Sequence, residues 1–189
     1  RIWNWYSQKE KGGGVIGALG THAFDLLHWF VGPTIEVKGS TSTSIKERFC
    51  PIDRTHKKVT SEDICLAQLN LSDMNSQSTI PAQVTLSSVS RHGRGCWIEV
   101  YGDKGTLILG SDNQKDYVHG FGLWFAEKGK KLSSIKPDED LNFAKTWEDG
   151  RIAPVNRIHT WWAESIKKGI PVIPGLSEGL CSQRVCEKL

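Results

Sequence analysis

Residues 12–25 read Gly-Gly-Gly-Val-Ile-Gly-Ala-Leu-Gly-Thr-His-Ala-Phe-Asp, and an apolar pattern runs on to Val31 before Gly32-Pro33. Ile16, Leu19, Ala23, Leu26, Leu27 and Phe30 recur at helical spacing, which predicts a helix over 15–31. Proline cannot continue a helix and disfavours helical dihedrals in the residue before it, so Gly32-Pro33 marks the stop. Helical residues three apart are neighbours, which puts His22 and Asp25 on one face. A carboxylate beside an imidazole can hold one tautomer and tune it to exchange protons near neutral pH. Buried among apolar side chains, such a pair is costly unless it is satisfied or used.

Three readings of this pair stay open on the residues alone. It can be a hydrogen-bonded structural pair. It can be catalytic, with His22 exchanging a proton with a substrate hydroxyl and Asp25 orienting it. With His28 it can form a metal site, but positions 22 and 28 point to different sides of a helix and converge poorly on one ion.

Gly12, Gly14 and Gly17 satisfy the spacing Gly-x-Gly-x-x-Gly. That spacing binds a dinucleotide only where a buried strand feeds it and a helix N-terminus meets the pyrophosphate. Ser7-Gln8-Lys9-Glu10-Lys11 precedes it here and is too polar for such a strand. The glycines are therefore read as a close-approach device rather than a cofactor motif.

Outward from this helix the chain changes character. Thr34–Ile45, Asp63–Leu71 and Gln83–Ser90 carry strand patterns, and Cys96–Tyr101 and Thr106–Leu109 flank the turn Gly102-Asp103-Lys104-Gly105. Val118–Ala126 and Lys131–Ile135 suggest another pair around Lys128, Gly129 and Lys130. Two helices are predicted at Val155–Lys168 and Ser177–Leu189. The last pattern is still running at its end, so the natural chain is expected to continue. A helix, a run of strands, then helices is an α+β order, not the alternating rhythm of a nucleotide-binding doubly wound fold.

Composition narrows the class. At 189 residues, 38% hydrophobic and 24% charged, the chain suits one soluble globular domain. A net charge of +3 with scattered basic residues argues against nucleic acid. No apolar run is long enough for a membrane span. Cys50, Cys65, Cys96, Cys181 and Cys186 contain no Cys-x-x-Cys pair, which points to reduced, mostly buried thiols in a cytoplasmic protein. Arg91, His92 and Arg94 lie among glycines between strands and could hold a hydroxylated substrate or form an ordinary exposed turn. Most of the eight tryptophans, including Trp97, Trp124, Trp161 and Trp162, are expected in packing. Trp3 and Trp5 could instead line a sugar-sized cleft.

Taken together, Trp3–Gly32 resembles the start of the C-terminal domain in the glucose–fructose oxidoreductase, inositol dehydrogenase and rhizopine-catabolism (Gfo/Idh/MocA) family. The matching features are a tryptophan segment, Gly12-Gly13-Gly14, then Gly20-Thr21-His22-Ala23-Phe24-Asp25 and Gly32. Val100–Leu107 and the helix before Gly169-Ile170-Pro171 also fit, so the resemblance spans essentially the whole chain. It implies an open, mostly antiparallel sheet with helices packed on one face. It further implies a two-domain oxidoreductase whose Rossmann half, absent from these residues, binds NAD or NADP and supplies a lysine. His22 would then be the proton-transfer or substrate-contact residue with Asp25 beside it, the substrate a sugar, cyclitol or similar polyol, and the sheet face a homodimer or homotetramer interface. This chain would not be active alone. Ala18 stands where many members place an aspartate, which keeps a second reading open: a non-catalytic relative that uses the sheet for protein–protein assembly.

Overall fold

The computed structural model describes residues 1–74, 76, 78–111, 113, 120–139 and 148–189. These fall into two compact units, one of Arg1–Arg91 with Ile173–Leu189 and the other of His92–Val172.

The first unit is built on the antiparallel strands β1 (Thr34–Ser42), β4 (Ile64–Ser72) and β5 (Thr79–Ser87), in the order β1-β4-β5. Alternation along β4 sends Cys65, Ala67, Leu69 and Leu71 to one face, where all four are buried. Helix α1 (Thr21–Phe30) and helix α3 (Leu176–Glu187) cover that face, contributing Phe24 and Val185 to a core shared with Val15 and Ile16. The opposite face presents Glu36, Lys38, Gln68, Asn70, Gln83 and Thr85. β5 starts four residues earlier than its sequence pattern and includes Pro81, which an edge strand tolerates because one side makes no ladder bonds.

A small hairpin of β2 (Glu47–Cys50) and β3 (Thr55–Lys58) completes this unit. Its charged strands carry no apolar alternation, so the sequence pattern misses it.

The second unit holds a four-stranded antiparallel sheet, β6 (Cys96–Tyr101), β7 (Gly105–Ser111), β8 (Gly122–Glu127) and β9 (Ser133–Ile135). The expected hairpin closes where the Gly102 N–H donates to the Gly105 carbonyl (2.9 Å), and Gly129 at φ 79° turns β8 into β9. Val118 and His119, placed by pattern in the third of these strands, lie outside the described residues.

Cross-strand register puts Ile98, Val100, Leu107, Leu109, Leu123, Phe125 and Ile135 on one face. The other face carries Trp97 stacked on Trp124, with ring centroids 5.6 Å apart. Helix α2 (Ile152–Lys168) closes this unit and has Pro154 in its first turn, where a missing N–H costs little. None of its residues is buried. Trp161 and Trp162, expected in a core stripe, are 46% and 58% exposed; the helix is amphipathic, but none of the described residues of its unit buries the stripe.

The architecture is α+β, as expected, with every described strand pair antiparallel and the strands distributed over three sheets. Among the thiols, Cys50 and Cys65 are buried, Cys186 is half-buried, and Cys96 and Cys181 are exposed; all five are free.

Candidate functional site

The helix expected from Val15 to Val31 has two parts. A π-helical turn spans Ile16–Gly20 and passes directly into α1 at Thr21. Such wide turns are rare and gather at functional sites. They also shift the phase of the helix face, so the relation between Ala18 and His22 cannot be read from a uniform helical period.

His22 lies immediately beyond the wide turn and is exposed, while Asp25 is half-buried. Of the readings left open by the sequence, a pair buried and hydrogen-bonded together is not what these residues form. Phe24 takes the core position between them and is fully buried, which rotates His22 outward. Among the described residues no hydrogen bond or ion pair joins His22 to Asp25. Asp25 instead acts on His28, three residues on, whose imidazole is held below its usual pKa by burial, with the Asp25 charge working in the opposite direction. The His28 Nε2 and the Thr34 hydroxyl are hydrogen-bonded at 2.8 Å, which ties the end of α1 to the start of β1. Among the described residues, no three His, Cys, Asp or Glu side chains converge as a metal site would require.

The start of the helix hangs on the chain entering β4. The Val15 N–H donates to the Glu62 carbonyl (2.9 Å), and the Ile16 N–H donates to Glu62 Oε1 (3.0 Å). Gly14 has φ 105°, and a Cβ there would overlap the Glu62 carboxylate. A Cβ on Gly13 would overlap the Tyr6 carbonyl. The glycines thus serve close backbone packing. They do not fit a dinucleotide, because a 3-10 turn (Lys9–Lys11) rather than a strand feeds them. Moreover, a carboxylate already occupies the helix N-terminus where a pyrophosphate would bind.

The tryptophan segment packs against the same glycines. The Gly13 N–H donates to the Gln8 carbonyl and the Gly14 N–H to the Tyr6 carbonyl, each at 3.0 Å. Trp5 is 54% exposed, edge-on to the Tyr6 ring. Trp3 is held on the β2–β3 hairpin instead: its indole N–H donates to the Lys58 carbonyl (3.1 Å), and the Lys57 ammonium lies 4.8 Å from its ring. Arg91 and His92 are exposed turn residues, with His92 at φ 56°. Arg94 is engaged in its own unit, bonded to Glu99 (2.8 Å) and stacked over Trp97 (3.9 Å). The described structure brings the Trp5 backbone carbonyl against Gly13 and leaves Trp3 on the hairpin.

Sequence reasoning missed the residues that hold this region, Thr60–Asp63. The Thr60 N–H donates to the Ser7 carbonyl (2.9 Å) and the Ser61 hydroxyl to the Tyr6 carbonyl (2.8 Å). The Asp63 carboxylate, 3% exposed, accepts the N–H groups of Ser44 (2.7 Å) and Ile45 (2.8 Å). The available signal was Ser61-Glu62-Asp63, a polar run set directly before an alternating apolar strand.

Similarity to known proteins bears on what this arrangement belongs to. An uncharacterized oxidoreductase of Synechocystis sp. is 44% identical over 184 residues, 97% of this chain and 48% of the relative. An NAD binding oxidoreductase from Klebsiella pneumoniae has a similar structure, with TM-score 0.77 at 19% identity over 100% of this chain and 51% of the other. Levoglucosan dehydrogenase in complex with NADH and L-sorbose matches with TM-score 0.72 at 17% identity, over 99% of this chain and 52% of the other. A super-repressor mutant of Gal80p from Saccharomyces cerevisiae matches with TM-score 0.67 at 13% identity, over 98% of this chain and 49% of the other. The chain spans about half the length of the relatives it matches. The model of the oxidoreductase family's C-terminal alpha/beta domain matches residues 1–189, and the chain belongs to that family, the Gfo/Idh/MocA oxidoreductases.

Proposed function

We propose that this chain is the substrate-binding and oligomerisation domain of a cytoplasmic, NAD(P)-dependent oxidoreductase acting on a sugar, cyclitol or similar polyol. The observation that carries the reading is His22, held in the open at the end of a π-helical turn while its neighbour Phe24 is locked in the core. An exposed imidazole on a rigid helix can accept the proton of a substrate hydroxyl as hydride leaves the same carbon. The glycines do not fit the nicotinamide cofactor, so its binding is assigned to residues outside this chain. The levoglucosan dehydrogenase complex supports a sugar-like substrate. Trp5 is the substrate-contact candidate from the tryptophan segment; Trp3, Arg91 and His92 are weaker ones, since Trp3 is committed to the hairpin and the other two lie in an open turn.

The apolar face of the second sheet supports self-association. Val100, Leu107, Phe125 and Ile135 are 38–44% exposed there, and a contiguous apolar face of this kind calls for a partner. We assign that face to a second copy of the protein, in a dimer or tetramer.

The test uses the complete protein, with sugars and polyols screened against NAD and NADP. Turnover that His22→Ala abolishes, with the melting temperature retained, supports the dehydrogenase reading. A second reading is favoured by the likeness to Gal80p and by Ala18: a non-catalytic relative that assembles through the sheet. Absence of turnover with every substrate, together with intact self-association, selects it.

A further inference from the structure

The helix that carries His22 has two anchors. One is the core, where Phe24 is fully buried and Gly20 lies so close that a Cβ would sit 3.3 Å from the Phe24 ring and 3.2 Å from Cys186 Sγ. The other is Glu62. Between them lies the π-helical turn Ile16–Gly20, a conformation that seldom persists unless its surroundings impose it. The first N–H groups of any helix lack intrahelical partners. Here Val15 and Ile16 find theirs on a single residue, through the Glu62 carbonyl and carboxylate. Ile16 is 8% exposed, so its N–H has little access to water if the carboxylate is removed.

Glu62 is itself held on both sides. Ser61 bonds the Tyr6 carbonyl, and Asp63 clamps the Ser44 and Ile45 amides. At Gly14 the missing side chain leaves the space that the Glu62 carboxylate fills. A rigid strand entry therefore fixes where the helix begins, and the core fixes where Phe24 lies. The wide turn between them then has one setting, and with it the direction in which His22 emerges.

We propose that Glu62 is a positioning residue for His22, its carboxylate fixing the start of the π-helical turn and so the direction of the imidazole. This rests on the reading of His22 as the proton-transfer residue. It assigns Glu62 no contact with substrate. Its reach is what matters, and its charge is secondary.

The test is a set of variants in the complete protein, with kcat, KM and melting temperature measured for each. Glu62→Asp keeps the charge but is one methylene too short to meet the Ile16 N–H. Glu62→Gln loses the charge but keeps an acceptor oxygen at the same reach. Glu62→Asp is expected to lower kcat about tenfold with KM within about twofold, the signature of a displaced catalytic group. Glu62→Gln is expected to recover most of that loss. Glu62→Ala should behave as Glu62→Asp; where it fails to fold, the Asp and Gln pair carries the comparison. Wild-type kcat in Glu62→Asp, a loss in Glu62→Gln equal to that in Glu62→Asp, or a lowered melting temperature with unchanged kcat in all variants overturns the proposal. His22→Ala is measured alongside: if it retains wild-type turnover, the reading of His22 fails, and the positioning role fails with it. If His22→Ala is inactive and the Glu62 series is flat, only the positioning role is lost.

Discussion

In the β1-β4-β5 sheet, the face carrying Cys65, Ala67, Leu69 and Leu71 is sealed by α1 and α3, and the face carrying Lys38, Gln68 and Gln83 is polar. In the β6–β9 sheet, the face carrying Val100, Leu107, Phe125 and Ile135 is as apolar as a core and no described helix of its unit seals it. Both sheets obey the same alternation. They differ in what each has been given to cover its apolar side. The first is finished by its own chain, and the second is the face proposed above for a second copy.

The largest effect expected from that difference belongs to the first sheet. Phe24→Ala removes the largest fully buried side chain of the unit and should cost about 3–5 kcal/mol, read as a lowered denaturant midpoint. It should also reduce turnover, because it frees one anchor of the helix bearing His22. A cost below about 1 kcal/mol would mean that the helices do not seal this sheet as described.

The second sheet should answer differently. Phe125→Glu leaves a fold in which this side chain is already 38% exposed, so monomer stability should change little. In the complete protein the same substitution should weaken the proposed self-association on the order of a hundredfold, the usual effect of losing a central apolar anchor. Sedimentation or light scattering across a dilution series reads it. An unchanged assembly would release the face from its proposed role.

These differences were unevenly legible in the sequence. The hairpin at Gly102–Gly105 and strands β4 and β6 were legible because glycine turns and clean alternation are local signals. The β2–β3 hairpin was not, since Arg48, Lys57 and Lys58 give it no apolar face, and the contacts it makes include a distant segment at Trp3. At the site, the glycines and His22 stood out, and their roles did not. His22 and His28 stand three residues to either side of Asp25 within the regular helix α1, so spacing alone could not choose between them, and it is the half-buried His28 on which Asp25 acts. Glu62 was invisible because it meets Ile16 across 46 residues of chain.

The exchange of partners at Asp25 has its own consequence. Burial lowers the His28 pKa and Asp25 opposes that shift, so Asp25→Asn should lower it further, which an NMR titration of the imidazole resolves. A folded-state pKa below the ordinary imidazole value of 6.5 means that the unfolded chain binds the proton more readily. The contribution of His28 to stability is therefore present above that value and is lost as pH falls through the depressed pKa. Denaturant midpoints should rise with pH across this window, and His28→Gln should flatten the rise. A His28 pKa that moves upward in Asp25→Asn would place the carboxylate elsewhere.

The smallest effect is the one that isolates the comparison. Leu66 lies on the outer face of β4, 48% exposed among Ser40, Gln68 and Thr85. Like Phe125, it is an apolar side chain in mid-strand, and by exposure alone the two positions look alike. Their surroundings separate them. A charge at Phe125 enters an apolar field assigned to a partner, whereas a charge at Leu66 joins a face that is already polar. Leu66→Lys should therefore shift stability by no more than about 0.5 kcal/mol, with assembly and turnover unchanged. If it instead breaks the oligomer, the polar sheet is also an interface, and the division of labour between the two sheets fails.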